Sequence, residues 1–169
     1  MTEKIINRVA NSNLVAIDLS DYATKENIIV FDVKDFLFEG VVLKEKEFRS
    51  SLKEFDFSIY EGKISAIYCS SNAIIPMWAF MLVTSYLKPI CSQLYFGSRE
   101  DVFQDILLKN INAIDSKKFK EKKVIVKGCG RIPLRESLFI AITQKLQDSV
   151  SSLMFGEACS AVPVYKKKK

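Results

Sequence analysis

The sequence predicts an α/β fold: a three-layer α/β/α sandwich built on a mostly parallel sheet, with an N-terminal β-rich extension. Short apolar runs at residues 64–68, 90–96, 124–126 and 152–155 have the length and apolar content of buried strands. Segments with helical periodicity and crossover length separate these runs. Strands joined by crossover helices form a parallel sheet that is covered on both faces. We therefore expect the four strands to be neighbours in one sheet.

The N-terminal third is predicted to form the β-rich extension, with strands at residues 14–19, 28–33 and 36–43 and a bulge at Gly40. Residues 44–57 then predict an amphipathic helix, because Phe48, Leu52 and Phe55 recur at helical spacing among charged residues. No internal repeat is evident in the sequence.

Three further helices are predicted between the strands. Pro76 suits the first turn of a helix because that position needs no N–H partner, and the helix is apolar nearly all round, so we expect it to be buried. Residues 98–101 resemble a capping box at the start of the next helix. Pro133 opens the last helix, which carries one apolar stripe.

Composition bounds the class of protein. The 169 residues are 49% hydrophobic and 27% charged, which is typical of a globular chain, and we expect a single domain over residues 1–165. The net charge is +5, but residues 166–169 are four lysines that read as a flexible tail, which leaves only +1 for the rest. Nucleic acid is therefore not expected as a partner, since binding it needs a basic face on the folded domain.

We also expect no membrane partner and a cytoplasmic location. The N-terminus has no apolar segment of signal-peptide length. The most apolar stretch, residues 74–87, is shorter than the ~20 residues that a membrane span requires. In a reducing compartment the four cysteines are expected to be thiols, metal ligands or redox sites rather than disulfides.

Three of the four cysteines, Cys69, Cys129 and Cys159, each follow a predicted strand. Since open α/β sheets bind ligands at the carboxyl ends of their parallel strands, these sulfurs are expected to converge there. We interpret the fourth, Cys91, as a small buried hydrophobic residue.

The surroundings of the three cysteines favour thiolates. Cys69 lies near the N-terminal approach to a helix, where unpaired N–H groups stabilise a thiolate. Cys129 lies between two glycines that allow close backbone approach to a bound group. The chain has no histidine, which removes histidine-based catalysis and His-ligated zinc. The residues expected to support the site around the three sulfurs are Ser70, Ser71, Gly128, Gly130, Glu157 and Ser160.

Three functions remain open from the residues. The first is a metal site with Cys69, Cys129 and Cys159 as ligands to zinc, iron or an iron–sulfur cluster and a fourth position left open. The second is a metal-free thiol enzyme or sulfur carrier that uses Cys129 or Cys69. The third is a non-catalytic interaction module, for which a large exposed apolar patch would be the sign. Whether the protein is an enzyme is left open.

Five blocks in order resemble an uncharacterised bacterial family catalogued as a domain of unknown function, DUF2480. The blocks are residues 7–12, 32–38, 69–79, 127–129 and 156–166. This resemblance assigns no activity and no catalytic residue. It implies iron–sulfur assembly factors of the sulfur-mobilisation type as candidate partners, and it therefore favours iron, sulfur or cluster handling.

Overall fold

The computed structural model describes residues 13–128 and 132–168. Strands and α-helices in these ranges are β1 (Leu14–Asp18), β2 (Ile28–Asp32), α1 (Glu45–Glu54), β3 (Ile64–Tyr68), α2 (Met77–Leu87), β4 (Gln93–Phe96), α3 (Arg99–Asn112), β5 (Lys123–Lys127), α4 (Glu136–Leu146), β6 (Ser152–Phe155) and β7 (Val162–Lys166). The α/β class is confirmed. All neighbouring strands are parallel except β6 and β7.

The strands form two sheets, so the expectation of a single sheet is wrong. One sheet has the order β1-β5-β6-β7 and the other has the order β2-β3-β4. Apolar runs identified the strands because a buried strand must be apolar on both faces. The same runs carry no information on which strands pair.

Backbone contacts divide the chain into two compact units. Unit 1 comprises Met1–Ala23 and Ile106–Lys169, and unit 2 comprises Thr24–Asp105. Each unit contains one of the sheets. The single domain over residues 1–165 stays a prediction.

The N-terminal strands belong to the sheets rather than to an extension. β1 pairs with β5, and β2 pairs with β3, both in parallel. Each ends at an aspartate whose carboxylate caps a following 3-10 turn: Asp18 accepts from the Ser20 N–H, and Asp32 accepts from the Lys34 N–H. The third predicted strand, at residues 36–43, is instead a turn with a single antiparallel bridge between Phe38 and Val42.

The described structure contains an internal repeat that the sequence analysis missed. Residues 56–97 in unit 2 correspond to residues 115–156 in unit 1 at a constant separation of 59 positions, that between Asp56 and Asp115. At this separation the bounds of β3, α2 and β4 coincide with those of β5, α4 and β6. The two segments therefore share one order of elements with identical lengths.

Matching hydrogen bonds support the correspondence. The Ser92 N–H donates to Lys63 O and the Ser151 N–H donates to Lys122 O, and each N···O distance is 2.9 Å. The glycines that follow β4 and β6 also form matching bonds. The Gly97 N–H donates to Ile67 O and the Gly156 N–H donates to Val126 O, both at 3.0 Å. The same hydrogen bonds recur both in the turns and at the strand ends. This indicates a duplicated unit rather than two segments that merely share general α/β geometry.

Few side chains are shared by the two copies, which explains why the sequence hid the repeat. The identical pairs lie at caps, at turns and within helices or strands: Asp56/Asp115, Lys63/Lys122, Phe80/Phe139, Thr84/Thr143, Leu87/Leu146, Ser92/Ser151, Leu94/Leu153, Phe96/Phe155 and Gly97/Gly156. Elsewhere only the apolar character of the core is kept. A core accepts many apolar combinations, so residue identity drifts while the backbone pattern remains.

The core of unit 2 is an aromatic cluster centred on Phe31 in β2. The Phe31 ring stacks on Phe36 at 5.0 Å between centroids and lies 5.5 Å from Phe55. Phe57 and Tyr60 complete the cluster, each 6.1 Å from Phe31. The 3-10 turn after β2 and the segment of residues 55–60 therefore fold back over the strand through ring contacts.

Tyr60 gives the cluster an expected dependence on alkaline pH. Its hydroxyl donates to Val30 O, and burial, assisted by the Asp35 carboxylate, raises the pKa of Tyr60 to about 12. An unfolded tyrosine titrates near 10, so above that pH the unfolded state gains free energy by ionising first. The free energy of unfolding should therefore fall as pH rises from about 10 to about 12. In unit 1 the corresponding residue is Phe119.

We expect the free energy of unfolding of the variant Tyr60→Phe to lack this fall between about pH 10 and about pH 12. Urea unfolding at about pH 8 and about pH 11 should show the wild type losing roughly 1 kcal/mol more than the variant between the two conditions. Equal losses in both proteins would contradict the assignment. At the lower pH the variant should be less stable by about 1 kcal/mol, because one buried hydrogen bond is removed.

A buried hydroxyl in β3 suggests a stabilising change. Ser65 is fully buried, and its hydroxyl has no hydrogen-bond partner among the described residues. Unit 1 has Val124 at the corresponding place, also fully buried. Desolvating an unpaired hydroxyl is unfavourable, so Ser65→Ala and Ser65→Val should each raise the free energy of unfolding by about 1 kcal/mol. Loss of stability in Ser65→Ala, measured by urea unfolding, would show that the hydroxyl has a partner.

The first two residues of the predicted lysine tail, Lys166 and Lys167, have partners in unit 1. Lys166 is the last residue of β7, and the Lys167 N–H donates to Ser151 O. The Lys167 ammonium also pairs with Glu121 at 2.6 Å. Residues 166 and 167 are thus part of the sheet edge in unit 1.

Candidate functional site

Cys69 lies directly after β3, in unit 2. Its side chain is half-buried against the core of that unit, and its Sγ is 3.2 Å from the Ser71 hydroxyl. Ser71 also accepts the Ala73 N–H and lines a groove of about 610 Å³ between residues 40–43 and 71–76. The thiol is therefore held by a hydroxyl at the carboxyl end of a parallel strand.

Asp32 connects the end of β2 to the loop after β3. Its carboxylate accepts the Ser70 N–H at 3.0 Å and the Lys34 N–H at 3.0 Å. Partial burial acts to raise the pKa of Asp32, but the hydrogen bonds from Ser70 and Lys34 outweigh it and leave the pKa lowered. Ser70, expected to support the thiol site, thus contributes its backbone to fixing the loop.

Gly128, another predicted supporting residue, has a packing role. A Cβ at this position would lie 2.7 Å from the Phe155 ring and 2.9 Å from the Phe139 ring. These rings pack edge to face at 5.6 Å. The internal repeat places Cys69 of unit 2 at the position of Gly128, and the equivalent rings, Phe80 and Phe96, also pack edge to face, at 5.4 Å.

Cys159 is exposed, in unit 1. Of its predicted neighbours, Glu157 forms an ion pair of 2.8 Å with Lys127, and this hydrogen bond raises the pKa of Lys127. The Ser160 N–H donates to Glu157 O and closes a turn around the cysteine. The Glu157 carboxylate is therefore engaged with a lysine at the end of β5.

The three-cysteine site stays a prediction. Cys129 and Gly130 lie outside the described residues, and Cys69 and Cys159 belong to different units. Across residues 13–128 and 132–168, no three Cys, Asp or Glu side chains are grouped closely enough to hold a metal ion. Convergence of the three sulfurs at one edge requires one sheet, whereas β3 and β6 lie in separate sheets. Zinc, iron and iron–sulfur cofactors stay predictions.

The apolar surface of α2 is the feature that sequence reasoning missed. The helix buries Ala79, Val83 and Leu87 along one stripe, but Met77 and Met81 on the other side are each 72% exposed. The expectation that this helix is buried all round is therefore wrong. Periodicity could not reveal an exposed face that is as apolar as the buried one.

In unit 1 the equivalent sheet edge is paired with β7. There α4, β6 and β7 line an open groove of about 480 Å³ that includes Ile140, Phe155 and Val164, which are 59%, 41% and 53% exposed. Ile140 and Phe155 correspond to Met81 and Phe96 in unit 2. Val164 comes from β7, and within the described residues no strand pairs with the equivalent edge of β4. We call β4 together with Met77 and Met81 the open edge.

A comparison with protein families finds one family, described as "Protein of unknown function (DUF2480)", that matches residues 3–167. The chain belongs to the DUF2480 family. No curated protein and no solved structure shows significant similarity to this DUF2480 protein. The resemblance noted in the sequence is thus confirmed as family membership.

Within the described part of this DUF2480 chain, no helix combines the length and apolarity that crossing a membrane would need. The molecule has two kinds of candidate site: the thiols, of which Cys69 is half-buried and Cys159 exposed, and the open edge in unit 2.

Proposed function

We propose that this DUF2480 protein is a non-catalytic interaction module whose open edge binds an extended segment of a protein chain as an added strand. The observation that carries the proposal is the difference between the two copies of the repeat: β6 has β7 on its outer edge, and β4 has no such strand among the described residues. The outer edge of a sheet is a template for strand addition. We place this activity in the cytoplasm.

Burial supports the proposal. Leu153 of β6 is 1% exposed, whereas its counterpart Leu94 of β4 is only half-buried. Phe155 is 41% exposed and its counterpart Phe96 is 68% exposed. The same backbone therefore leaves more apolar surface in water in unit 2, and covering it would be favourable at roughly 25 cal/mol per Å² of apolar area.

The strand β7 indicates the chemistry of the partner. It runs antiparallel to β6 and places Val162 opposite Phe155 and Tyr165 opposite Leu153. A segment that binds the open edge should accordingly be extended, with apolar residues opposite Phe96 and Leu94.

A synthetic peptide with the sequence of residues 160–168 tests the proposal. When titrated into ¹⁵N-labelled protein, it should give saturable NMR shift changes in β4 and α2. The variant Phe96→Lys should abolish these changes, because a charge on an edge opposes pairing. Ile59→Lys, at an exposed apolar residue of unit 2 outside the open edge, is the matched control and should respond like the wild type. Equal responses in Phe96→Lys and wild type, or no response of monomeric protein at millimolar peptide, would refute the proposal.

A second candidate keeps the three cysteines as ligands to zinc, iron or an iron–sulfur cluster, with iron–sulfur assembly factors as partners. Cys69 favours it, because a half-buried thiol beside a hydroxyl at the carboxyl end of parallel strands suits a ligand. Anaerobically purified protein should then contain metal that Cys69→Ser loses and Cys91→Ser retains. Metal-free protein in which Cys69 alone reacts rapidly with iodoacetamide would favour the thiol enzyme or sulfur carrier instead.

A further inference from the structure

We propose that the occupant of the open edge is a second copy of this chain, which pairs its β4 antiparallel to β4 of the first about a two-fold axis. This inference rests on the proposed function and adds the identity of the partner. It follows from the sequence of the edge, its side chains and the two-fold rule for identical subunits.

β4 lacks the side chains that protect edge strands from pairing. Natural edge strands are blunted by short length, lysines, prolines, bulges or a covering element. β4 is short, with the four residues Gln93-Leu94-Tyr95-Phe96, but it has no charge and no proline, and its pairing with β3 has no irregularity. In contrast, the outermost strand of unit 1, β7, contains Pro163 and ends at Lys166. The outer strand of unit 1 thus carries protecting residues that β4 does not have.

The sequence of β4 is complementary to itself. Antiparallel pairing about its midpoint places Leu94 of one copy opposite Tyr95 of the other, and Gln93 opposite Phe96. No two like charges face each other, and an aromatic side chain meets an aliphatic one, which is a favourable cross-strand pair. An interface of this kind uses the same patch on both copies, as two-fold dimers do.

The methionines of α2 extend the contact beyond four residues of strand. By the repeat, Met81 and Phe96 occupy the places of Ile140 and Phe155, which line the groove beside β7 in unit 1. Met77 and Met81 are each 72% exposed, compared with 59% for Ile140. Methionine adapts its shape to an apolar partner, so the α2 faces of two copies can contribute buried apolar area to the dimer.

Sedimentation equilibrium of the full chain tests the inference. The mass should rise from that of the 19.2 kDa monomer to twice that value as concentration increases. Phe96→Lys and Met81→Lys should each weaken association at least tenfold, because both place a cation on the two-fold interface. Ile59→Lys carries the same charge change on an exposed residue of unit 2 and should associate like the wild type. Circular dichroism should show all three variants folded, since the substituted side chains are exposed.

The outcomes separate this inference from the proposed function. A chain that stays monomeric but binds the peptide of residues 160–168 in a Phe96-dependent way would overturn the dimer and leave strand addition by another protein. A monomer with no peptide response would overturn both. A dimer that Phe96→Lys and Met81→Lys leave intact would show that two copies meet elsewhere, and would also overturn the inference.

Discussion

Replacing Phe31 by alanine should lower the free energy of unfolding by about 3–5 kcal/mol, which is the usual range for removing a buried phenylalanine. Phe31 is 1% exposed and lies at the centre of the aromatic cluster of unit 2. The substitution removes ring contacts to Phe36, Phe55 and Phe57 together. Phe36 lies in the turn directly after β2, and Phe55 and Phe57 lie in the stretch after α1, so no single element can move in to fill the cavity. Since a small protein is stable by only about 5–15 kcal/mol, the loss should be visible in any denaturant titration.

A graded series keeps this prediction testable if the alanine variant does not fold. Phe31→Leu retains most of the volume and should cost roughly 1–2 kcal/mol. Phe38→Ala is the matched control: Phe38 belongs to the same unit, but it is partly exposed and packs under the Lys44 ammonium. We expect it to cost less than about 1 kcal/mol. A loss below 1 kcal/mol in Phe31→Ala would show that the cluster is not the core of unit 2.

Local order along the chain was largely predictable, whereas strand pairing was not. The predicted strands at residues 64–68 and 152–155 coincide with β3 and β6, and Pro76 directly precedes α2. Turn residues and apolar periodicity act over a few neighbours, so a single sequence displays them. Pairing depends on contacts between distant segments. β1 pairs with β5 across more than half of the chain, and the residues of neither strand indicate which strand it pairs with.

For the candidate site, too, local features were predictable and contacts between distant segments were not. The strand ends before Cys69 and Cys159 were located closely, but their convergence depended on one shared sheet, and the two residues lie in different units. The missing signal was the repeat, which is visible in sequence only as a constant separation between sparse identities such as Thr84/Thr143 and Leu94/Leu153. In that alignment β7 follows β6 in unit 1, whereas α3 follows β4 in unit 2. Among the described residues, only β6 therefore has an added strand on its outer edge.

Introducing a methyl group at Gly128 should destabilise unit 1, although the same position in unit 2 carries a whole cysteine side chain. The Cβ of alanine at residue 128 would approach the Phe155 and Phe139 rings to 2.7 and 2.9 Å, and real Cβ atoms do not come this close to other heavy atoms. The rings must therefore shift within a packed edge-to-face pair. Overpacking of this kind costs about 1–3 kcal/mol, so Gly128→Ala should lower the free energy of unfolding by that amount.

Cys69→Ala provides the internal comparison, because Cys69 occupies the place of Gly128 in the repeat. There the equivalent ring, Phe96, is 68% exposed, compared with 41% for Phe155. We therefore expect more space for a side chain at residue 69 than at residue 128. Removing the half-buried thiol should cost less than about 1 kcal/mol, well below the cost of Gly128→Ala. Urea unfolding of both variants measures the difference. If Gly128→Ala is neutral, the two rings yield without loss, and the glycine at residue 128 then has a reason other than packing, such as the approach of a ligand to the loop that follows β5.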